Sequence, residues 1–325
     1  MQNRILQFDY LKGIMMILVI MFHLVIIDVT YPTLRAAVYT FHVPVFLLLS
    51  GYLAKTDKCF KDFSRTLYRL LVPYVIFEII YLLMLYVVGT AMHSTNSVDN
   101  LSFHTIFMHL LAYPLGSYWY LHALIVCYVV YYMVFHFLKA NQFTKLILVG
   151  IILYLITYII QVVGWAPITS GGGFVWESVV YYIIGIIIYR LEVPFMKIIP
   201  PSCFAIIPLT ILFLFSDNYH RGTLAGISIT ILTISFLMYV FNYLWSPVRD
   251  GLCFIGRNSL TIFIFSPIFT SFTKFFIPFF SFDSTHIVFA TVSTTFIIIC
   301  SLMCAYFFDR LRFSRYLFMK DEILL

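Results

Sequence analysis

Apolar runs recur along this chain at roughly 13–30, 36–54, 70–90, 118–138, 146–163, 174–189, 198–215, 223–245, 259–280 and 285–308, with short polar segments between them. Most approach the roughly 20 residues that a helix rising 1.5 Å per residue needs to cross the hydrocarbon of a bilayer. The sixth and seventh runs are short. No alternation of apolar and polar positions is long enough for an outer-membrane barrel. Helices are then the remaining spanning structure, because lipid offers the backbone no hydrogen-bond partners. The pattern predicts an all-α polytopic membrane protein of about ten transmembrane helices. It forms one domain over residues 1–325, since no polar segment is long enough for an appended soluble one.

The placement of charge supports that threading. With a cytoplasmic N-terminus, Arg4 and Lys12 lie inside, followed by Lys55, Lys58, Lys61, Arg65 and Arg69 in the first inner loop. Lys139 and Lys145, Arg190 and Lys197, and Arg249 and Arg257 mark three further inner loops, and Arg310, Arg312, Arg315 and Lys320 form a basic tail. Only Arg35, Arg221 and Lys274 fall outside. An odd number of spans would scatter this asymmetry, so both termini are placed in the cytoplasm.

Composition narrows the class further. The chain is 62% hydrophobic and 10% charged, with a mean hydropathy of +0.98, where a soluble domain carries about a quarter charged residues. The net charge of +6 sits in short segments between apolar runs. That suits anionic lipid rather than nucleic acid. The six cysteines show no CxxC pattern and read as small hydrophobes of a membrane core. No cleavable signal peptide is visible, as the first run leads straight into further spans.

Residues 91–117 make the one long outer segment, amphipathic from Phe103 to Leu111 and suited to lying along the interface. The spacing of His93, His104 and His109 matches no common metal site. Gly171-Gly172-Gly173 reads as a flexible turn, because no Lys-Ser/Thr follows it as a phosphate cradle requires.

Candidate chemistry concentrates in the first third. A titratable residue at membrane depth is costly, so His23, within the first run, is read as functional. Lys12 precedes it by eleven residues, nearly three helical turns. Both side chains therefore share one face, about 16 Å apart along the axis. An anionic group held at the lysine could extend an arm to the imidazole, which away from water favours its neutral, proton-accepting form. In the next run, Pro44 is expected to free a backbone carbonyl, while Ser50 and Gly51, beside Tyr52, permit close helix approach. His42 suits either contact with an acceptor or interfacial anchoring. Arg65 and Arg69, one turn apart, suit a polyanionic ligand or anionic lipid. Glu78, nine residues beyond Arg69, is a carboxylate inside its helix that needs a partner, with His23 or a basic residue of another span as the candidate. Asp28 and Glu177 lie nearer the outer boundary, where water can solvate them.

These stretches resemble the acyltransferase-3 family of bacterial integral-membrane O-acyltransferases over nearly the whole chain. The matching pieces are Phe8-Asp9-Tyr10-Leu11-Lys12-Gly13 with His23 beyond it, Phe41-His42-Val43-Pro44-Val45-Phe46, Leu49-Ser50-Gly51-Tyr52-Leu53, Arg69-Leu70-Leu71-Val72-Pro73-Tyr74, Trp119-Tyr120-Leu121 and Asn258-Ser259-Leu260-Thr261-Ile262-Phe263. The resemblance implies transfer of an acyl group, usually acetyl, from cytoplasmic acyl-CoA to a hydroxyl of a cell-envelope carbohydrate or lipid-linked sugar, at the bacterial cytoplasmic membrane. Acyl-CoA is then a co-substrate, and neither a bound cofactor nor a metal is implied.

By the same likeness His23 is the essential base or acyl carrier and Lys12 stands at the position of the family's basic residue. The residues themselves add the expectation that Arg65 and Arg69 join Lys12 in binding the donor phosphates, that Glu78 orients the imidazole as its catalytic companion, and that His42, Ser50, Tyr52, Trp119 and Asn258 line the acceptor site or pocket. Two departures stand out. Lys12 occupies a position where the family commonly has Arg, a planar fork rather than a point charge. Ser266-Pro267 stands where the family often has His-Pro, so no role of that histidine carries over. The rival expectation is a transporter or flippase for a lipid-linked sugar, which intramembrane charge and aromatic richness also suit. The absence of internal repeats weighs against it.

Overall fold

The structure, a computed structural model, describes residues 5–54, 59–92, 101–137, 143–163 and 174–325. Arg4, Lys55, Lys58, His93, Lys139 and Gly171–Gly173 lie outside the described residues.

In chain order the helices are α1 (Leu6–Phe22), α2 (Val25–Thr30), α3 (Pro32–Tyr39), α4 (His42–Tyr52), α5 (Phe60–Met92), α6 (Phe103–Leu111), α7 (Trp119–Phe137), α8 (Phe143–Val163), α9 (Phe174–Arg190), α10 (Phe195–Ile198), α11 (Ile206–Phe213), α12 (Leu224–Phe241), α13 (Ser246–Arg257), α14 (Ser259–Thr273), α15 (Ile287–Arg310) and α16 (Phe313–Leu317). No strand occurs among the described residues. Six segments there are long and apolar enough to cross a membrane: Pro32–Tyr52, Phe60–Val87, Gly116–His136, Leu224–Phe241, Ser259–Phe280 and Ile287–Arg310.

The first two apolar runs are less regular than their hydropathy suggests. The run over 13–30 is not one helix: α1 ends at Phe22, so His23 caps the helix instead of standing within it. The physical cause is the imidazole itself. His23 Nδ1 lies 2.6 Å from the Val19 carbonyl, the acceptor its own backbone amide would use in a continuing helix. That amide instead reaches Ile20 O at 3.2 Å, which tightens the last turn. Pro44 is likewise reassigned. It stands in the first turn of α4, where a missing N–H leaves no helical bond unmade, so it starts a helix instead of opening one.

Glycines set two close helix crossings. A Cβ on Gly13 of α1 would overlap the Leu252 carbonyl of α13, and one on Gly256 of α13 would overlap the Asp9 carbonyl. The same reciprocity joins α4 and α9, where Gly51 meets Tyr182 O and Gly185 meets Leu48 O. Bare backbone lets these pairs approach as membrane helices do at small residues. The result places α1 among α4, α12, α13, α14 and α15.

The segment after α15 folds back onto the bundle. Asp309 accepts from the amides of Ile323 (2.9 Å) and Leu324 (3.0 Å), and Phe318 and Ile323 are buried. Positive φ angles at Arg312 and Met319 make the turns that return the chain.

Candidate functional site

A cavity of about 170 Å³ lies beside α1. Its wall includes Lys12, Met16 and Val19 of α1, Val43, Phe46 and Ser50 of α4, Leu70 of α5, Tyr120 and Leu124 of α7, and Ser259, Leu260 and Phe263 of α14. Lys12, Met16 and Val19 are the successive turns of the helical face that leads to His23. The cavity thus follows the register read from the sequence, with an ammonium at one end and an apolar wall beyond. Its lining stops at Val19, one turn before His23.

At that end of α1 two histidines contact one tyrosine. His23 stacks on Tyr39, with ring centroids 5.8 Å apart and planes at 25°. Tyr39 also meets His42, with centroids 4.9 Å apart. The Tyr39 hydroxyl donates to Phe22 O at 3.1 Å, which anchors the ring against the end of α1. Each histidine points Nδ1 at the carbonyl one turn back, His23 at Val19 and His42 at Val38 (2.7 Å). A carbonyl only accepts, so Nδ1 carries the proton in both rings and Nε2 presents a lone pair. His23 is half-buried, whereas His42 is buried and its Nε2 has no partner among the described groups. His42 is therefore not an interfacial anchor.

Charged groups surround this pair. Arg35 pairs with Asp28 at 2.6 Å and lies over the Tyr39 ring at 4.9 Å. Both charges are close enough to act on His23. Arg221 stands 3.8 Å from Glu177 and 5.2 Å above the Trp119 ring, largely buried, and its charge acts on His42. Asp28 and Glu177 are thus ion-paired, not simply hydrated. The sequence reading missed Tyr39, Arg35 and Arg221 as site residues. The signal was there: Arg35 and Arg221 are two of the three cations that break the inside–outside asymmetry.

The remaining candidates divide. Ser50 lines the cavity, within hydrogen-bond reach of Tyr120. Tyr52 does not. It packs edge-on against Phe8 (5.6 Å), Phe195 (5.0 Å) and Tyr189 (5.8 Å), an aromatic cluster away from the cavity. Trp119 carries Arg221. Asn258 grips the returning tail, donating to Leu325 O at 3.0 Å and accepting from its amide at 2.7 Å, with Ser259 and Leu260 beside it on the cavity wall.

Arg65 is exposed on α5. Arg69 donates to Met319 O at 3.2 Å, and the next residue, Leu70, lines the cavity. The tail brings Lys320 to Arg69. Crowding by protein and then the Arg69 charge hold the Lys320 ammonium below the usual lysine range, although it still reaches solvent. Lys320 is thus a cation near the donor candidates that only chain reversal reveals.

Glu78 is fully buried, but its partner is not His23. Oε1 accepts from the Leu115 amide at 2.5 Å, and Oε2 has no partner among the described groups. Gly116, at φ +53°, makes the turn that brings Leu115 there, and Tyr74, Tyr81 and Tyr118 surround the carboxyl. His122, also unremarked in the sequence, is buried beside Tyr74 at 5.8 Å.

At the Ser266-Pro267 departure, Pro267 lacks the amide that would bond Phe263 O, and the Ser266 hydroxyl takes that carbonyl at 3.2 Å. Tyr118 bonds the adjacent Ile264 O at 2.7 Å. Ser266 therefore repairs a proline break.

Among known proteins, the model of a family described as an acyltransferase domain matches residues 5–306. No curated protein and no solved structure gives a match.

Proposed function

The chain belongs to that acyltransferase family, and from this premise we propose that it is a membrane O-acyltransferase carrying an acyl group, acetyl by preference, from acyl-CoA to a hydroxyl of a cell-envelope carbohydrate. Family membership and the apolar helices make it a multi-pass membrane acyltransferase. The finer reading rests on one observation: the cavity is lined by Lys12, Met16 and Val19, successive turns of the α1 face that leads to His23.

In this reading ten crossings leave both termini and Lys12 at the cytoplasmic face of a bacterial cytoplasmic membrane. The CoA phosphates bind at Lys12, Arg69 and Lys320, with Arg65 at the rim. The pantetheine arm enters between α1, α4, α7 and α14, and its thioester is presented across the last turn, a rise of about 5.4 Å, to the His23 imidazole. The Nε2 lone pair takes the proton of the acceptor hydroxyl as that oxygen attacks the thioester carbon. The tetrahedral adduct collapses, the C–S bond breaks, and the CoA thiolate leaves with the proton from Nε2. Arg221 or Arg35 supplies positive charge toward the oxyanion. An acyl-histidine route balances equally, with Nε2 attacking first and the hydroxyl displacing it.

Purified protein assayed for CoA release with acetyl-CoA and a carbohydrate acceptor tests the reading. Turnover is expected from the wild-type chain and not from His23→Ala. Equal turnover by the two proteins overturns it.

A further inference from the structure

After α15 the chain reverses, and residues 318–325 are fastened to the bundle from three directions. On α15, Asp309 accepts from the amides of Ile323 (2.9 Å) and Leu324 (3.0 Å) and from the Ser314 hydroxyl. At the junction of α13 and α14, Asn258 donates to Leu325 O at 3.0 Å and accepts from its amide at 2.7 Å, while Thr261 of α14 donates to Ile323 O at 3.4 Å. On α5, Arg69 donates to Met319 O at 3.2 Å. Phe318 and Ile323 are buried, so apolar packing holds the same segment down. Met319 adopts φ +49°, a left-handed conformation that costs energy in a residue other than glycine and persists only where its surroundings enforce it.

The residue that follows this enforced turn is Lys320. The Arg69 charge acts on it, so two cations are held close together. Neither is ion-paired with a carboxylate among the described residues, and Arg69 Nε is buried with no partner there. The neighbouring Asp321 and Glu322 are exposed to solvent. Like charges repel, and holding them together becomes favourable once an anion joins them. The cavity wall lies next to this pair. Leu70, Ser259 and Leu260 line it, and they adjoin in the chain the residues that hold the tail, Arg69 and Asn258. Lys12 stands on that wall, whereas Arg69 and Lys320 do not. In CoA the diphosphate follows the pantetheine arm and the ribose 3′-phosphate lies beyond it, farthest from the thioester. A cation on the wall suits the first, and a pair of cations off the wall suits the second.

Resting on the acyltransferase reading, we propose that the folded-back tail builds a subsite for the ribose 3′-phosphate of the donor, with Lys320 and Arg69 as its cations and Asn258 and Asp309 as the positioning residues that hold Lys320 there. Asn258 and Asp309 touch no donor atom in this arrangement. They act by fixing eight residues of chain before the donor arrives, so that binding does not have to order them.

The test uses the purified full chain with CoA and with 3′-dephospho-CoA. Isothermal titration reads binding, and turnover of the two acetyl thioesters with a carbohydrate acceptor reads KM and kcat. The wild-type chain is expected to hold CoA at least about tenfold more tightly than its dephospho form, the effect of one charge-assisted hydrogen bond. In Lys320→Met, Asn258→Ala and Asp309→Ala that ratio should fall below about threefold, and the loss should appear in KM for acetyl-CoA rather than in kcat. A loosened fold would instead weaken both ligands alike. Asp309→Asn keeps an acceptor for the Ile323 amide and should recover part of the ratio that Asp309→Ala loses. The double variant Asn258→Ala/Lys320→Met should bind CoA no more weakly than Lys320→Met, since a positioning residue then has nothing left to position. Lys320 is exposed, so its replacement threatens folding least, and Asp309 acts from a different helix should Asn258→Ala fail to fold. Equal wild-type affinity for the two ligands, a ratio unchanged in Lys320→Met, or losses that multiply in the double variant overturn the proposal. Discrimination in binding without any acetyl transfer would leave the subsite standing and remove the acyltransferase reading.

Discussion

Replacing His23 separates its two jobs. The side chain donates to the Val19 carbonyl at 2.6 Å, which ends α1, and it presents Nε2 as a base. His23→Ala removes both. His23→Asn keeps an N–H close to the Nδ1 position and so keeps a donor for Val19, but offers no basic nitrogen. The lost hydrogen bond costs about 0.5–1.5 kcal/mol of stability, which His23→Asn should largely retain. Removing a general base costs about 10²–10⁴-fold in rate, roughly 3–5 kcal/mol of barrier at 1.36 kcal/mol per decade. The two variants are therefore expected to differ in thermal unfolding yet to coincide in kcat, both reduced by at least about a hundredfold, with the KM for acetyl-CoA little changed. Steady-state CoA release and fluorescence-monitored melting in the same detergent make the comparison. A His23→Asn protein as active as wild type would refute the base assignment, and a His23→Ala defect repaired by Asn would show that the imidazole matters only for the helix end.

Other expectations follow from the same geometry. Lys12→Ala should raise KM for the CoA donor about ten- to a hundredfold, the loss of one charge-assisted hydrogen bond of about 1.5–3 kcal/mol, with kcat largely kept; a kcat defect at constant KM would place the lysine elsewhere. Burial and then the Arg69 charge hold the Lys320 ammonium below the usual lysine range, and an amine attracts phosphate only when protonated, so donor affinity should fall as pH rises through that lowered range. In Lys320→Met that limb of a KM–pH profile should vanish, and its persistence would exclude the residue. Glu78→Gln still offers an oxygen to the Leu115 amide and should retain turnover within a few-fold, whereas a loss as deep as that of His23→Ala would restore Glu78 to the chemistry. On α13 two Gly→Ala changes should act in opposite directions. Gly256→Ala drives a methyl into the Asp9 carbonyl and should cost about 1–3 kcal/mol. Gly251→Ala meets nothing within 4 Å and should gain up to about 1 kcal/mol of helix propensity. Melting temperatures shifted the same way would refute the packing argument.

The hydropathy pattern determined by itself that this chain is helical and membrane-embedded, because lipid leaves the backbone no other way to satisfy its polar groups. Helical periodicity also sufficed to put Lys12, Met16 and Val19 on one wall, a local consequence of 3.6 residues per turn, and the lack of a side chain marked Gly51 as a crossing point. Tertiary structure decided what depends on residues far apart in sequence. It turned Glu78 toward a loop amide, gave Tyr52 to an aromatic cluster and Asn258 to the returning tail, and carried Lys320 to Arg69. It also brought Arg35 and Arg221, strays in the charge pattern, against two imidazoles joined by Tyr39. A side chain's partner is fixed by which helices cross and at what rotation. No periodicity within a single helix encodes that.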